Sequence, residues 1–288
     1  MNKKLCLIIF MVCNISACTK ATTLHTLENC NIEVENHIVT GELLNDLFKC
    51  KRSVEAFNII KKNENNFTTQ DYAVTGDILL IHNYIDESIY YLDVASKQGD
   101  AEAMQRLGAI YAYVYKYKDL NKSLNLLLKS IAHDYYYSFI TLADIYFEDR
   151  NYKDNEQAEF YAKKAIENNY NEGYYYLAMI QAENKKYLES KINLKKLSKY
   201  GLDDLSNLGL AQIYYLYNDY DKYNPKKSKE ILEKLVKTSK SPDRFRWMAD
   251  FYMGDHQYKN KEKAKKYYEK AFDNGDLLSE EILMEWKK

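Results

Sequence analysis

Proline and glycine are scarce in this chain, at two and nine residues in 288. With so few breakers, nothing interrupts a helix internally, and no stretch alternates apolar and polar residues as a half-buried strand would. Histidine is sparse too. His25, His37, His82, His133 and His256 are scattered, with no HxxxH or HExxH spacing, so no metal-protease signature forms. A GxSxG elbow and a phosphate-cradling glycine loop are both missing, which removes the common hydrolase and nucleotide-binding signatures. Neither sign of charge dominates, with 41 Lys and Arg against 42 Asp and Glu. No long basic stripe points to nucleic acid. Beyond the first residues, no apolar run is long enough to cross a bilayer.

What the chain does have is a period. Ser53, Ser88, Ser123, Ala158, Ser190, Ser228 and Ala264 follow one another at intervals of 35, 35, 35, 32, 38 and 36 residues. Mostly apolar residues lie three, four and seven positions after each, which is one face of a helix (helix B). A second series interleaves: Leu107-Gly108, Leu142-Ala143, Leu177-Ala178, Leu210-Ala211 and Met248-Ala249. Aromatic residues recur around these anchors and define helix A, with Leu43-Leu44 and Thr75-Gly76 as weaker, earlier copies. A small residue on each helix lets the two backbones approach closely. Glu64, Gly99, Asp134, Asn169, Gly201, Ser239 and Gly275, eleven positions after each helix B mark, are expected to make the turns. A fixed period of this length signals stacked helical units.

Residues 99–111, GDAEAMQRLGAIY, and 261–276, KEKAKKYYEKAFDNGD, resemble Sel1-like repeats, relatives of the tetratricopeptide repeat. The resemblance covers residues 41–288 and is weaker over 43–64 and 203–223. It implies an all-α, right-handed α-solenoid of about seven two-helix repeats, closed by a C-terminal capping helix on which Leu283 takes the anchor position and Trp286 packs back. It also implies contact with another protein rather than a reaction, a cofactor, a metal or a small-molecule substrate.

Residues 1–17 read as a leader. Lys3 and Lys4 precede an apolar run from Leu5 to Cys13, too short to span a bilayer but suited to a signal peptide. Ile15-Ser16-Ala17-Cys18 resembles a bacterial lipobox, which makes Cys18 the acylated N-terminus and residues 18–40 a tether. Thr19 then implies sorting to the outer membrane of a Gram-negative cell, facing the periplasm. The alternative is ordinary secretion with Cys18 discarded. Export leaves Cys30 and Cys50 as an even pair in an oxidising compartment. Either they form a bridge, worth about 3 kcal/mol for a loop of roughly 20 residues, or they are two buried thiols.

Tyrosine is abundant, with 29 residues. Helix A positions account for part of these as core. The remainder should reach the surface, where tyrosine offers contact area at low entropic cost. By the family's usual geometry helix A lines the concave face, and Asp144, Phe147, Tyr175, Tyr215, Arg246 and Asp250 are the expected partner contacts there.

Among Sel1-like lipoproteins are immunity proteins that neutralise periplasm-acting type VI effectors such as phospholipases, and related repeat lipoproteins assemble exopolysaccharide exporters. Small cysteine-rich members bind or hydrolyse β-lactams, but this chain lacks their repeated cysteine pairs and any nucleophile–base signature. Replacing the acylated residue, Cys18→Ala, is expected to release the protein from the membrane fraction of cells. Unchanged fractionation would remove the anchor.

Overall fold

A computed structural model describes residues 41–216, 223–238, 241–254, 256–274 and 276–286. The leader, Cys18, Cys30, Ser239 and Gly275 lie outside these. Cys50 is disulfide-bonded; its expected partner Cys30 is not among the described residues.

The described residues form helix pairs in chain order: α1 (Gly41–Lys49) with α2 (Ser53–Asn63), α3 (Thr69–Ile81) with α4 (Ile85–Lys97), and α5 (Ala101–Tyr113) with α6 (Leu120–Ala132). Then come α7 (Ser138–Glu148) with α8 (Asn155–Glu167), α9 (Gly173–Glu183) with α10 (Tyr187–Lys199), α11 (Asp203–Leu216) with α12 (Pro225–Thr238), and α13 (Pro242–Met253) with α14 (Lys261–Asp273). The last helix, α15 (Leu277–Glu285), packs on α14 as a half-repeat, and Trp286 meets Tyr268 edge to face at 5.7 Å. The seven pairs and the cap are all helical, and among the described residues there is no strand.

The chain divides into two compact units. The first holds the described residues 41–111 and 119–135, the second 112–118 and 136–286. In both, an odd-numbered helix A packs on the helix B that follows it, and successive helices A pack on one another, α1 on α3 and α7 on α9 on α11. Within each unit helices A thus pack as one layer, with helices B against them, the arrangement of two-helix repeats.

The small residues close the seam between the layers. Ser88, Ser123, Ala158, Ser190, Ser228 and Ala264 are fully buried, whereas Ser53, the first residue of α2, stays partly exposed. Gly76 lies against Ser88 and Gly108 against Ser123, and Ala143, Ala178, Ala211 and Ala249 at the matching helix A positions are buried as well. A Cβ on Gly76 would stand 2.7 Å from the Leu92 side chain, and one on Gly108 would stand 3.1 Å from Leu127. Ser88 Oγ donates across the seam to the Gly76 carbonyl at 2.8 Å. Gly173 is tighter still. Any Cβ there would fall 2.4 Å from the Ala162 carbonyl oxygen, a backbone atom that cannot rotate away.

The turns follow two patterns. Helix B ends in a left-handed residue at Gly99, Asp134, Asn169 and Gly201, with φ of 95°, 65°, 67° and 77°. The next N–H reaches back five residues to the carbonyls of Ala95, Ser130, Ala165 and Leu197, the hydrogen bond that satisfies a helix's orphan carbonyls. Glu64 departs from this expectation. Its φ is −53°, and it opens a single 3₁₀ turn over Glu64–Asn66. Between helices A and B, the backbone N–H groups of Asp119, Asp154, Asn224 and Asn260 donate to the carbonyls of Tyr111, Tyr146, Tyr214 and Tyr252, at 2.7–2.9 Å. The same four side chains then cap helices α6, α8, α12 and α14 by accepting from backbone N–H groups. Lys122, Lys227 and Lys263, three residues on, lie 5.3, 4.7 and 5.4 Å from the Tyr111, Tyr214 and Tyr252 ring centres.

Leucine cannot fit where a backbone passes this close. Ala158→Leu and Ala249→Leu are each expected to cost about 1–3 kcal/mol, read as a lower midpoint in thermal or urea denaturation. Unchanged midpoints would mean the layers meet in another register.

Candidate partner-binding surface

Of the six residues expected on an open concave face, Asp144, Phe147, Tyr175 and Arg246 are buried, and Tyr215 and Asp250 are half-buried. Helices A of the second unit turn these side chains onto one another instead of onto a partner. Asp144 accepts from Tyr113 Oη at 2.7 Å and from Tyr176 Oη at 3.2 Å. Tyr175 Oη donates to Gln212 Oε1 at 2.5 Å. Tyr215 Oη donates to the Asp250 carbonyl oxygen at 3.4 Å, and the Asp250 side chain accepts from Tyr268 Oη at 2.5 Å. The Arg246 guanidinium lies 3.3 Å from Asp276, both fully buried, and Asp276 caps α15 through Ser279 N–H at 3.0 Å. Lys153 stands 5.1 Å from the Phe147 ring centre while pairing with Glu183 at 2.7 Å. Apart from the Asp250 carboxylate, which is bonded within its own helix pair, this is a polar seam between repeats. Its correction to the sequence reading is that polar character on helix A marks contact between neighbouring repeats.

Electrostatics follow from that burial. The Asp144 carboxyl is pushed up from 3.8 to about 6 by loss of water, against the opposing pull of the two tyrosine hydroxyls and of Arg246. Arg246 sits three repeats further along the chain, so the helices A of this unit are close enough together for its charge to act on Asp144. In the first unit Asp77 is likewise raised to about 6 by burial, opposed by Arg106 at 3.4 Å.

What the second unit does offer outward is aromatic. Tyr136, Phe139, Tyr161 and Tyr146 form a ladder of near-parallel rings: 5.9 Å apart at 6°, 6.2 Å at 28°, and 5.6 Å at 12°. The three tyrosines are half-buried and Phe139 is buried. Phe160, 50% exposed, stands edge-on to Tyr161 at 5.1 Å. Burial raises the Tyr146 and Tyr161 hydroxyls above their ordinary 10, so both stay protonated donors. Rigid rings with a polar tip are the side chains that concentrate energy in protein interfaces. Sequence reasoning placed the helix A aromatics Phe139 and Tyr146 in the core; Phe139 is buried there, whereas Tyr146 is half-buried. The signal for the ladder was there, in aromatic residues at three matched positions of one repeat: before the anchor, after it, and on the paired helix B.

Among the described residues, no group of three or more His, Cys, Asp and Glu side chains could hold a metal ion. Paired helices on a period near 35 residues, with small buried residues recurring along them, make this an all-α protein built of two-helix repeats, the class to which α-solenoids belong. No family model matches the chain, and no curated protein does. Solved structures are similar to the chain, two of them as follows. One is a Sel1 repeat protein from Oxalobacter formigenes, 17% identical over 86% of this chain and 76% of that one, with a TM-score of 0.47. The other is a protective antigen of uropathogenic Escherichia coli strains displaying an SLR fold, 18% identical over 83% of this chain, with a TM-score of 0.44. The chain spans 54% of that second protein's length.

Burial that raises the native pKa of Asp144 above 3.8 means that folding favours its protonated form. The stability it contributes is complete below about pH 4 and is lost as pH rises through about 6. Asp144→Asn is therefore expected to flatten the fall in stability over that window, by roughly 2–3 kcal/mol relative to the parent. Denaturation midpoints measured at intervals from pH 4 to 7 check this, and identical slopes would refute it.

Proposed function

We propose that this chain is a tethered scaffold that binds another protein and catalyses no reaction. The observation that carries the reading is the aromatic ladder Tyr136–Phe139–Tyr161–Tyr146, its three tyrosines half-buried around the buried Phe139, with the exposed Phe160 beside it, held by repeats whose polar helix A residues are already engaged. Joined to the lipobox-like Cys18, this describes a surface anchored at the outer membrane and facing the periplasm. The partner that suits it is a secreted or envelope protein. In the sharper form of the proposal, the chain is an immunity protein that neutralises a periplasm-acting type VI effector such as a phospholipase.

Co-purification tests this directly. The protein expressed with the product of an adjacent effector-type gene should form a stoichiometric complex and protect cells from that effector. Tyr146→Ala with Tyr161→Ala should weaken the complex at least about tenfold while leaving the helical circular dichroism intact. A complex untouched by these substitutions would move the contact elsewhere. If an exopolysaccharide-synthesis operon lies beside the gene and no effector does, the immunity reading gives way to envelope assembly.

A further inference from the structure

The outer layer of the second unit carries a second surface, unlike the ladder in chemistry. Helix α8 is balanced, with two lysines and three glutamates. The three helices B that follow are not. Helix α10 has four lysines and one glutamate, α12 has five lysines and two glutamates, and α14 has five lysines and three carboxylates. Together they present fourteen positive side chains against six negative in a chain whose formal net charge is −1. Twelve of the fourteen are exposed, and Lys196 and Lys229 are half-exposed. Lys229 pairs with Glu233 at 3.3 Å. Among the described residues, Lys195, Lys199, Lys234, Lys237, Lys265 and Lys266 have no carboxylate within ion-pair distance. Two large apolar side chains stand within this field. Leu188 is 72% exposed and Ile192 49% exposed, one turn apart on the face of α10 that also carries Lys191, Lys195 and Lys199.

We propose that this outer face docks on the surface of an anionic lipid bilayer, its lysines over the headgroups and Leu188 and Ile192 in the interfacial layer. Charge complementarity requires an anionic occupant, and residue type selects lipid over an acidic protein. Every basic residue on the three helices is lysine and none is arginine. Protein interfaces are depleted in lysine and enriched in arginine, whose planar fork gives directional pairing. A field of hydrated point charges around a pair of exposed aliphatic residues is instead the pattern that adsorbs to acidic headgroups without specific geometry. The face is independent of acylation at Cys18 and of the aromatic ladder, so it can stand or fall apart from the proposed function.

Co-sedimentation with vesicles tests it, using the full chain carrying Cys18→Ala so that no acyl chain contributes. Binding to phosphatidylcholine vesicles containing about 30 mol % phosphatidylglycerol should exceed binding to phosphatidylcholine alone by about tenfold or more, and should collapse in high salt. Reversing four exposed charges, Lys195→Glu, Lys199→Glu, Lys265→Glu and Lys266→Glu, should abolish that preference. Leu188→Ser with Ile192→Ser should weaken binding several-fold at unchanged charge. Equal binding to neutral vesicles would overturn the proposal, as would salt-insensitive binding or a charge-reversed chain that sediments like the parent. A soluble polyglutamate that binds more tightly than the vesicles would overturn it in favour of an acidic protein.

Discussion

Close approach of two helix backbones is the constraint on which this molecule depends. Ser88, Ser123, Ala158, Ser190, Ser228 and Ala264 are completely buried because each sits where helix B touches its helix A. Contacts such as Gly76 against Leu92, or Gly173 against the Ala162 carbonyl, leave no room for even one added carbon. Crossings this tight bring the flanking leucines, tyrosines and alanines into register, and dispersion among them must offset the entropy of ordering each repeat. The capping residues belong to the same scheme. Asp119, Asp154, Asn224 and Asn260 each tie the end of a helix A to the start of a helix B, so the pair enters the stack as one piece.

The second unit places three kinds of chemistry in three places. Polar side chains of helices A are turned inward and hydrogen-bonded between repeats, where burial makes their partners obligatory. Aromatic rings line the join between α7 and α8, the tyrosines among them half-buried. Lysines cover the outer layer from α10 to α14. A surface divided in this way can hold a protein at the rings and lie against an acidic headgroup plane at the lysines.

Particular residues show how far periodicity reaches. The two interleaved series were enough to place the helix pairs, including the faint first two, because a small residue every 35 positions has a local cause: without it the helices cannot meet. Gly99, Asp134, Asn169 and Gly201 were equally legible, since a left-handed residue must end each of those helices. Asp144, Tyr175 and Arg246 were not. Helical spacing correctly put them on the side of helix A away from its own helix B, but whether that side is open depends on how closely successive helices A pack, and no local pattern records it.

The amino-acid order by itself therefore determined the repeat, the class of fold, the capping turns and which residues close each seam, because all of these are set by contacts within one pair of helices or the next. Only the tertiary structure decided that the polar row on helices A is interior and that Tyr146 and Tyr161 are half-buried in a ladder stacked with the buried Phe139. It also decided that the lysines of α10, α12 and α14, some eighty residues of chain, belong to one layer. These are properties of how repeats stack on each other, and stacking energy is shared among side chains far apart in sequence.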